Sequence, residues 1–330
     1  MSRQWSADNI LTMARFYQRS CVLTAAADLD LFTVLADGPR TAAEVAEAVG
    51  ADRRGTATLL DALVAIELID KDEDRYTVLP SVAELLTSDG KQSVLAMVRH
   101  QGSCLRRWDQ LAHVVRSGQP GQRRASVRGE AGDEESFIEA MDNVNRGTAP
   151  ALVAELDPPA FGHLLDVGGA SGTWTIAFLR WHREAKATIF DLPHVMPLAE
   201  RRIAAAGLAG RVTLVPGDFY TDPLPPGADL AWVSAIIHQN SRRQNRELLG
   251  KTFEALEDGG RIFVRDIVMD ETRVSPRAGA LFAINMLVAT EGGGTFTFNE
   301  IREDLEAAGF TDVQLVREHE WMDAIVSARK

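Results

Sequence analysis

The sequence has little of what marks a secreted, membrane-bound or nucleic-acid-binding protein. It contains two cysteines, Cys21 and Cys104. One possible pairing is no disulfide framework, which fits a reducing cytoplasm. There is no run of about 18 apolar residues, and the N-terminal stretch lacks the apolar segment of a signal peptide. The net charge of −12 argues against the basic face of a general nucleic-acid binder. These absences predict a soluble, cytoplasmic protein that binds neither membranes nor nucleic acid.

Length and composition favour more than one domain. The chain has 330 residues, more than a single compact unit of ordinary size, and 45% of them are hydrophobic, ample for a packed core. We expect a winged-helix-like domain over residues 1–100 and a helical linker and acceptor-pocket segment over 101–157. A third segment, 158–330, begins at the paired prolines Pro158-Pro159 and has the pattern of an α/β domain.

Helical patterns and one hairpin organise the N-terminal segment. An apolar stretch, Leu31–Leu35, ends at Asp37-Gly38-Pro39, and Thr41 then begins a short helix that closes at Gly50. A further helix precedes a charged hairpin tip over Asp70–Arg75. This order is typical of a winged helix-turn-helix. It is compatible with DNA binding or with packing and dimerisation, and the acidic charge favours the second.

The middle of the chain shows weaker signals. Residues 91–120 are expected to form one helix around Trp108, and the polar, glycine-rich stretch Gly118–Asp133 is expected to be a loop. Phe137 and Met141 then lie on a helix that leads to the proline pair.

Beyond residue 160, strand and helix patterns alternate, which indicates a mainly parallel sheet covered by helices on both faces. Helix candidates include Arg242–Leu256 and Asn299–Ala308. The sequence therefore predicts a Rossmann-like, seven-stranded α/β domain after the winged helix. The strand candidates are Leu164–Val167, Ala187–Phe190, Val212–Val215, Leu230–Ala235, Arg261–Val268, Val313–Val316 and Ala324–Ala328.

The first of these strands runs into the glycine-rich turn of HLLDVGGASG, residues 163–172. No Gly-Lys-Ser/Thr follows, so the turn is not a phosphate-binding P-loop, and the third glycine of a dinucleotide fingerprint is missing because Trp174 stands there. The turn therefore favours an adenosine-type cofactor without a phosphate, bound through Gly168, Gly169, Ser171 and Gly172.

Two acidic elements support this interpretation. Asp191 and Leu192 follow the second strand, and a carboxylate in this place accepts hydrogen bonds from ribose hydroxyls. Asp218 and Phe219 follow the third strand, where they can contact an adenine ring. Because the carboxyl ends of parallel strands share one edge of the sheet, we expect these residues to form one site.

In this ordered set of motifs the chain resembles the S-adenosylmethionine-dependent O-methyltransferases of small molecules, which include plant phenolic, acetylserotonin-type and bacterial natural-product enzymes. The resemblance implies S-adenosylmethionine as the cofactor, methyl transfer to a hydroxyl, and a homodimer formed through the N-terminal domain. The elements that carry it are the winged-helix pattern, the glycine turn, Phe190–Pro193, Gly217–Phe219 and Ala307–Phe310.

A base that removes the proton of a hydroxyl speeds its attack, and imidazole suits this role near neutral pH. His238 follows the fourth strand, where the family places its catalytic histidine, although Gln239-Asn240 replaces the usual Asp-Trp. Asp266, at the end of the fifth strand, matches a family position that holds an acid, and we expect it to orient His238.

Two departures from the family leave other chemistry open. Ser234 stands where the family often has lysine; we still assign this position to the cofactor site. Family members often carry a second acidic residue in the stretch that corresponds to Gly292–Thr297. In this chain Thr295 stands at that position, and Glu291 lies nearby. C- or N-methylation, or a non-methylating reaction, therefore remains an alternative to O-methylation. A ligand-sensing regulator with a DNA-binding winged helix is the third hypothesis.

By family analogy, helices on both sides of the cofactor domain boundary supply the pocket for the acceptor. An apolar pocket with a few polar groups suits an aromatic or polyketide-like molecule, although such side chains also serve as plain core. No metal site is expected. The residues assigned to the acceptor are Trp108, Phe137, Met141, Asn145, Asn285 and Met286.

Overall fold

The computed structural model describes residues 4–330, and the chain divides into two compact units. The first unit comprises the chain up to Arg106 together with Arg123–Asn143, and the second comprises Arg107–Gln122 and Val144–Lys330. Within residues 4–330, no helix combines the length and apolarity needed to cross a bilayer.

The helices, in chain order, are α1 (Ala7–Ala14), α2 (Tyr17–Asp28), α3 (Leu31–Ala36), α4 (Ala42–Ala48), α5 (Arg53–Ala65), α6 (Pro80–Leu86), α7 (Leu95–Trp108), α8 (Leu111–Ser117), α9 (Gly129–Arg146), α10 (Ala149–Leu156), α11 (Thr173–Trp181), α12 (Met196–Ala205), α13 (Arg242–Ala255), α14 (Arg277–Ala289) and α15 (Phe298–Ala307). The strands are β1 (Arg40–Thr41), β2 (Ile69–Asp72), β3 (Arg75–Val78), β4 (His163–Val167), β5 (Lys186–Asp191), β6 (Val212–Pro216), β7 (Ala228–Ser234), β8 (Leu256–Asp266), β9 (Val268–Met269), β10 (Phe296–Thr297), β11 (Thr311–Arg317) and β12 (Ala324–Arg329).

The first unit contains the predicted order of helices and hairpin. Strands β1, β3 and β2 form an antiparallel sheet in that order, beside α3, α4 and α5. As expected, α4 begins after Thr41, because Thr41 and Glu44 cap the helix end reciprocally. The largest fully buried side chains of this unit are Leu31, Phe32, Leu35, Leu60, Leu63 and Ile69.

The prediction was wrong at two places in the middle of the chain. Residues 91–120 form two helices, α7 and α8, because the chain turns at Asp109-Gln110. No glycine or proline marks this break, so apolar spacing alone could not locate it. Helix α9 begins at Gly129, inside the expected loop, where the buried carboxylate of Asp133 accepts hydrogen bonds from Ser126 N and Arg106 Nη2 (2.9 and 3.1 Å). These contacts outweigh the low helix propensity of the glycines.

The second unit is built around a seven-stranded sheet of order β11-β12-β8-β7-β4-β5-β6. All seven predicted strands are present. Strands β8, β7, β4, β5 and β6 are parallel, and only β12 runs antiparallel to its neighbours β8 and β11. The predicted Rossmann-like α/β class is therefore confirmed.

Apolar cores cover both faces of this sheet. On one face α10 and α11 pack over Leu164, Trp232 and Phe263, and on the other α13 and α15 pack over Leu165 and Val264. The parallel strands show near-continuous burial because both of their faces are covered. Because the five parallel strands end at the same edge of the sheet, the loops that follow them all begin there. Open α/β sheets bind their ligands at this edge.

Candidate active site

The glycine turn leaves β4 at the carboxyl edge in a conformation that needs glycine. Gly168 has a φ of 65° and Gly172 a φ of 74°, and Gly168 N donates to the carbonyl of Phe190 at the end of β5 (2.8 Å). A Cβ on Gly169 would lie 2.8 Å from the Cγ atom of Asp166, which is too close. The turn therefore presents backbone rather than side chains, as a cradle for a bound molecule requires.

Asp191 ties the end of β5 to this turn. Its Oδ2 accepts from Ala170 N and its Oδ1 from Leu192 N, both over 2.7 Å. Burial raises the pKa of Asp191, and these two hydrogen bonds oppose that shift. Each carboxylate oxygen keeps a further lone pair, which suits it to accept from ribose hydroxyls.

Asp166, inside β4, lies beneath the turn and was not identified as functional from the sequence. Its Oδ2 accepts from the hydroxyl of Thr175 over 2.6 Å, and the side chain is fully buried. Burial raises the pKa of Asp166 to about 7, against the Thr175 hydrogen bond, and the negative charge of Asp191 adds to the rise. The sequence feature that could have identified Asp166 is an acidic residue inside the otherwise apolar run HLLDV.

The third acidic element follows β6 at the same edge. Asp218 Oδ1 accepts from Tyr220 N (2.9 Å), while Asp218 N donates to Asp222 Oδ2 (2.8 Å). The ring of Phe219 lies 4.6 Å from that of Tyr220, centroid to centroid. A carboxylate and an aromatic ring thus lie at the same edge of the sheet as the glycine turn. This arrangement fits an adenine-containing ligand.

His238 and Asp266 meet at the ends of the adjacent strands β7 and β8. His238 lies on a single 3₁₀ turn, Ile237–Gln239, and its Nδ1 is 2.9 Å from Asp266 Oδ2 and 3.0 Å from Oδ1. Asp266 is 2% exposed and also accepts from Ile267 N over 2.8 Å. With Nδ1–H assigned as the donor to the carboxylate, Nε2 carries the lone pair that can accept a proton.

Neither Thr295 nor Glu291 is hydrogen-bonded to His238. Thr295 is buried with its hydroxyl toward the carbonyl of Gly279 (3.4 Å), and Glu291 is exposed. Instead, Gly294 N donates to the carbonyl of His238 over 2.8 Å. Across the described chain, Asp266 is the one carboxylate bonded to His238.

A buried arginine occupies the surroundings of Ser234. Arg265 Nη1 donates to Ser234 Oγ over 3.0 Å, and Arg265 Nε donates to Asp323 Oδ1 over 2.8 Å. The guanidinium carbon lies 4.5 Å from the ring centroid of Trp174. Burial lowers the pKa of Arg265, which is 4% exposed. The Ser234 hydroxyl thus accepts a hydrogen bond from an arginine of the adjacent strand β8. The sequence analysis did not identify this contact, although Arg265 interrupts the apolar end of β8.

The residues assigned to the acceptor fall in both units. Within the second unit Trp108 Nε1 donates to Asn285 Oδ1 over 3.0 Å. Asn145 and the buried Met286 also belong to the second unit, whereas Phe137 and Met141 belong to the first. Their roles stay predictions.

One further aromatic residue stands directly against His238. The ring of Phe282, on α14, meets the imidazole edge-on at 4.9 Å, and Trp321 meets Phe282 at 5.7 Å. Phe282 lies three residues before Asn285 on α14, so the two residues share a face of the helix. This spacing could have identified Phe282 from the sequence.

Comparisons with known proteins agree with this geometry. A family model of an O-methyltransferase domain matches residues 108–311, and a model of an O-methyltransferase dimerisation domain matches residues 11–89. The tetracenomycin polyketide synthesis 8-O-methyl transferase TcmO of Streptomyces glaucescens is 35% identical over 312 residues, covering 92% of this chain and 91% of that protein. The N,N-dimethyltransferase OxyT of Streptomyces rimosus is 31% identical over 329 residues, covering 97% and 94%.

Human N-acetylserotonin methyltransferase, solved in complex with S-adenosylmethionine, has a TM-score of 0.80 to this chain at 28% identity, covering 100% of this chain and 99% of that one. The chain belongs to the O-methyltransferase family and is an S-adenosylmethionine-dependent methyltransferase. The predicted enzyme class and cofactor are confirmed. TcmO is named as an O-methyl transferase and OxyT as an N,N-dimethyltransferase. Membership of the family therefore does not define whether the methyl group goes to oxygen or nitrogen.

Proposed function

We propose that this enzyme methylates a hydroxyl of a small aromatic or polyketide-like molecule, with His238 as the general base and Asp266 as its orienting partner. The observation that carries the proposal is the 2.9 Å hydrogen bond between His238 Nδ1 and Asp266 Oδ2. It leaves Nε2 as an acceptor for the hydroxyl proton, and the carboxylate stabilises the imidazolium that forms. A neutral amine already carries the lone pair that attacks the methyl group, so it has less need of such a base.

The glycine turn and two carboxylates would hold the cofactor. Gly168, Gly169, Ser171 and Gly172 supply the turn. Asp191, beside Leu192, would accept from ribose hydroxyls, and Asp218 with Phe219 would contact the adenine. When bound, S-adenosylmethionine supplies an activated methyl group, so the protein's main task is to position the acceptor.

An aromatic acceptor is supported by the side chains around His238. The ring of Phe282 contacts the imidazole of His238, and the ring of Trp321 contacts that of Phe282. Aromatic rings favour offset or edge-on contact with another ring. The relative TcmO acts in polyketide synthesis by its name. The Trp108–Asn285 pair would then provide polar groups that orient the acceptor.

We further infer a homodimer formed through the N-terminal helices. Helix α1 buries none of its residues, and four large apolar side chains on α1 and near the start of α2 are at least half exposed. Contiguous exposed apolar surface of this kind marks an interaction site. The side chains are Ile10, Leu11, Phe16 and Tyr17. A cytoplasmic location stays a prediction.

The test begins with calorimetric titration of S-adenosylhomocysteine, followed by turnover of a panel of hydroxylated naphthoates and polyketide aromatics. Product mass and NMR identify the methylated atom. With an accepted substrate, His238→Asn is expected to lower kcat by about 10²–10⁴-fold while His113→Asn, at an exposed position on α8, leaves it unchanged. A product methylated on nitrogen or carbon, or undiminished turnover by His238→Asn, overturns the proposal.

A further inference from the structure

A chain of side-chain hydrogen bonds starts at the half-exposed Tyr220, passes through two buried asparagines and ends beside His238. The Tyr220 hydroxyl donates to Asn240 Oδ1 over 2.6 Å, and Asn240 Nδ2 donates to Asn245 Oδ1 over 3.0 Å. Asn245 Nδ2 in turn donates to the carbonyl of Ile237 over 3.0 Å. Asn240 is 0% exposed and Asn245 is 2% exposed. All donors therefore point in one direction, from the tyrosine to the backbone.

The two ends of this chain belong to different parts of the site. Tyr220 directly follows Asp218 and Phe219, the residues assigned to the adenine, and Ile237 directly precedes His238. Helix α13 contacts both ends. It carries Asn245, and its Lys251 Nζ donates to the carbonyls of Phe219 and Asp222, each over 2.8 Å.

Asn240 also stands where the family pattern has an apolar tryptophan. A residue that only filled the core would need no amide, because a buried amide must find a partner for each of its polar atoms. Asn240 finds them on two different elements, the turn after β6 and helix α13. Low dielectric surroundings strengthen such a network and make it sensitive to the loss of any member.

We propose that Asn240 is a positioning residue that couples the turn Asp218–Tyr220 to the imidazole of His238, so that a ligand ordering the first also orders the second. This inference rests on the proposed function, in which His238 is the base. Asn245 completes the coupling on α13. Neither asparagine is proposed to touch the acceptor.

The test follows the imidazole resonance of His238 by NMR in the full-length protein, with S-adenosylhomocysteine as the probe. The resonance is assigned by its loss in His238→Asn. In the wild type, the ligand should shift it. Tyr220→Phe removes only the first donor and should lose more than half of that shift, with kcat lowered by up to about tenfold, the equivalent of one hydrogen bond. Thr221→Ala removes the exposed hydroxyl of the next residue, which lies 3.5 Å from the carbonyl of Asp218 and outside the Tyr220–Asn240–Asn245 chain, and should keep the full shift.

Asn240→Asp provides a second variant, because a carboxylate cannot donate to Asn245 Oδ1. It should abolish the ligand-induced shift, and Tyr220→Phe still decides the matter if Asn240→Asp does not fold. An equal shift in the wild type and Tyr220→Phe, or no shift in the wild type, overturns the coupling. The shift is measured without turnover. A failed base assignment would therefore show separately, as unchanged turnover by His238→Asn.

Discussion

Gly294 and His238 are joined by a backbone hydrogen bond, with Gly294 N donating over 2.8 Å to the carbonyl of His238. The neighbouring Gly293 is packed still more closely, since a Cβ there would lie 2.6 Å from the same carbonyl oxygen. The loop that presents a second acid in the family here supports the turn of His238 through its backbone. Asp266 alone then provides the charge that steadies the imidazole.

Gly293→Ala should therefore displace the His238 turn while leaving the distant cofactor residues in place. We expect kcat to fall at least about tenfold and S-adenosylhomocysteine affinity to change less than about twofold, because a misplaced base affects the reaction more than binding. Steady-state kinetics and calorimetry measure the two. Gly294→Ala is the matched control, since nothing lies within 4 Å of its Cβ position. Equal kcat values for the two variants would contradict this account.

Asp266→Asn tests the orienting role directly. An amide lacks the charge that stabilises an imidazolium, so kcat should fall by about 10²-fold or more, with little change in KM for the cofactor. Asp258→Asn, an exposed acid on the same strand, should behave as wild type. A kcat within about threefold of wild type in Asp266→Asn would remove Asp266 from the mechanism.

Asp166 makes stability depend on pH. Its pKa is raised to about 7 in the folded state against about 3.9 in an unfolded chain, so between these values only the folded state holds the proton. The free energy of unfolding should therefore fall as pH rises from about 4 to 7, by at most about 4 kcal/mol, and then level off for this group.

Asp166→Asn is neutral at every pH and should flatten this part of the profile. Urea unfolding followed by circular dichroism at several pH values gives the comparison with wild type. Asp191, whose pKa burial also raises, contributes in the same direction and remains in the variant. Identical profiles for the two proteins would show that Asp166 stays ionised.

Asp191→Ala should weaken S-adenosylhomocysteine binding by about 10–100-fold. The substitution removes both the predicted ribose contacts and the bond that fixes Ala170 N, and a hydrogen bond to a charged group contributes about 1.5–3 kcal/mol. Calorimetry provides the Kd. Glu184→Ala, an exposed acid before the same strand, is the control. Unchanged affinity in Asp191→Ala would place the ribose elsewhere.

Phe16→Asp should dissociate the proposed homodimer. The ring is 67% exposed, so the substitution should not unfold the first unit, but a charge in an apolar interface is costly. Size-exclusion chromatography with light scattering gives the mass. Val127→Asp, exposed to 77% outside the N-terminal helices, should remain dimeric. A dimeric Phe16→Asp protein would move the interface away from this surface.

The parallel sheet and its ligand edge could be predicted because their signals are local and repeated. Strands buried on both faces appear as continuous apolar runs, and the residues after Val167, Phe190, Val215 and Ala235 follow them directly in sequence. His238 and Asp266 could be paired from the same logic, since adjacent strands end at the same edge.

Features that depend on contacts distant in sequence could not be predicted. The start of α9 depends on Asp133 meeting Arg106, and the environment of Ser234 depends on Arg265 from the next strand. The role of Gly294 likewise required the loop's position against His238. In each case the sequence shows the residue but not its partner, because no periodicity relates the two.

The first compact unit is discontinuous, since Arg123–Asn143 belongs with the chain up to Arg106 and the second unit takes the segment between them. A gene fragment that stops near residue 100 would therefore encode an incomplete unit. Exchange of this unit between family members, in evolution or in the laboratory, requires three recombination junctions rather than one. Chimeras joined at a single crossover between Arg106 and Arg123 should therefore take the two parts of this unit from different parents.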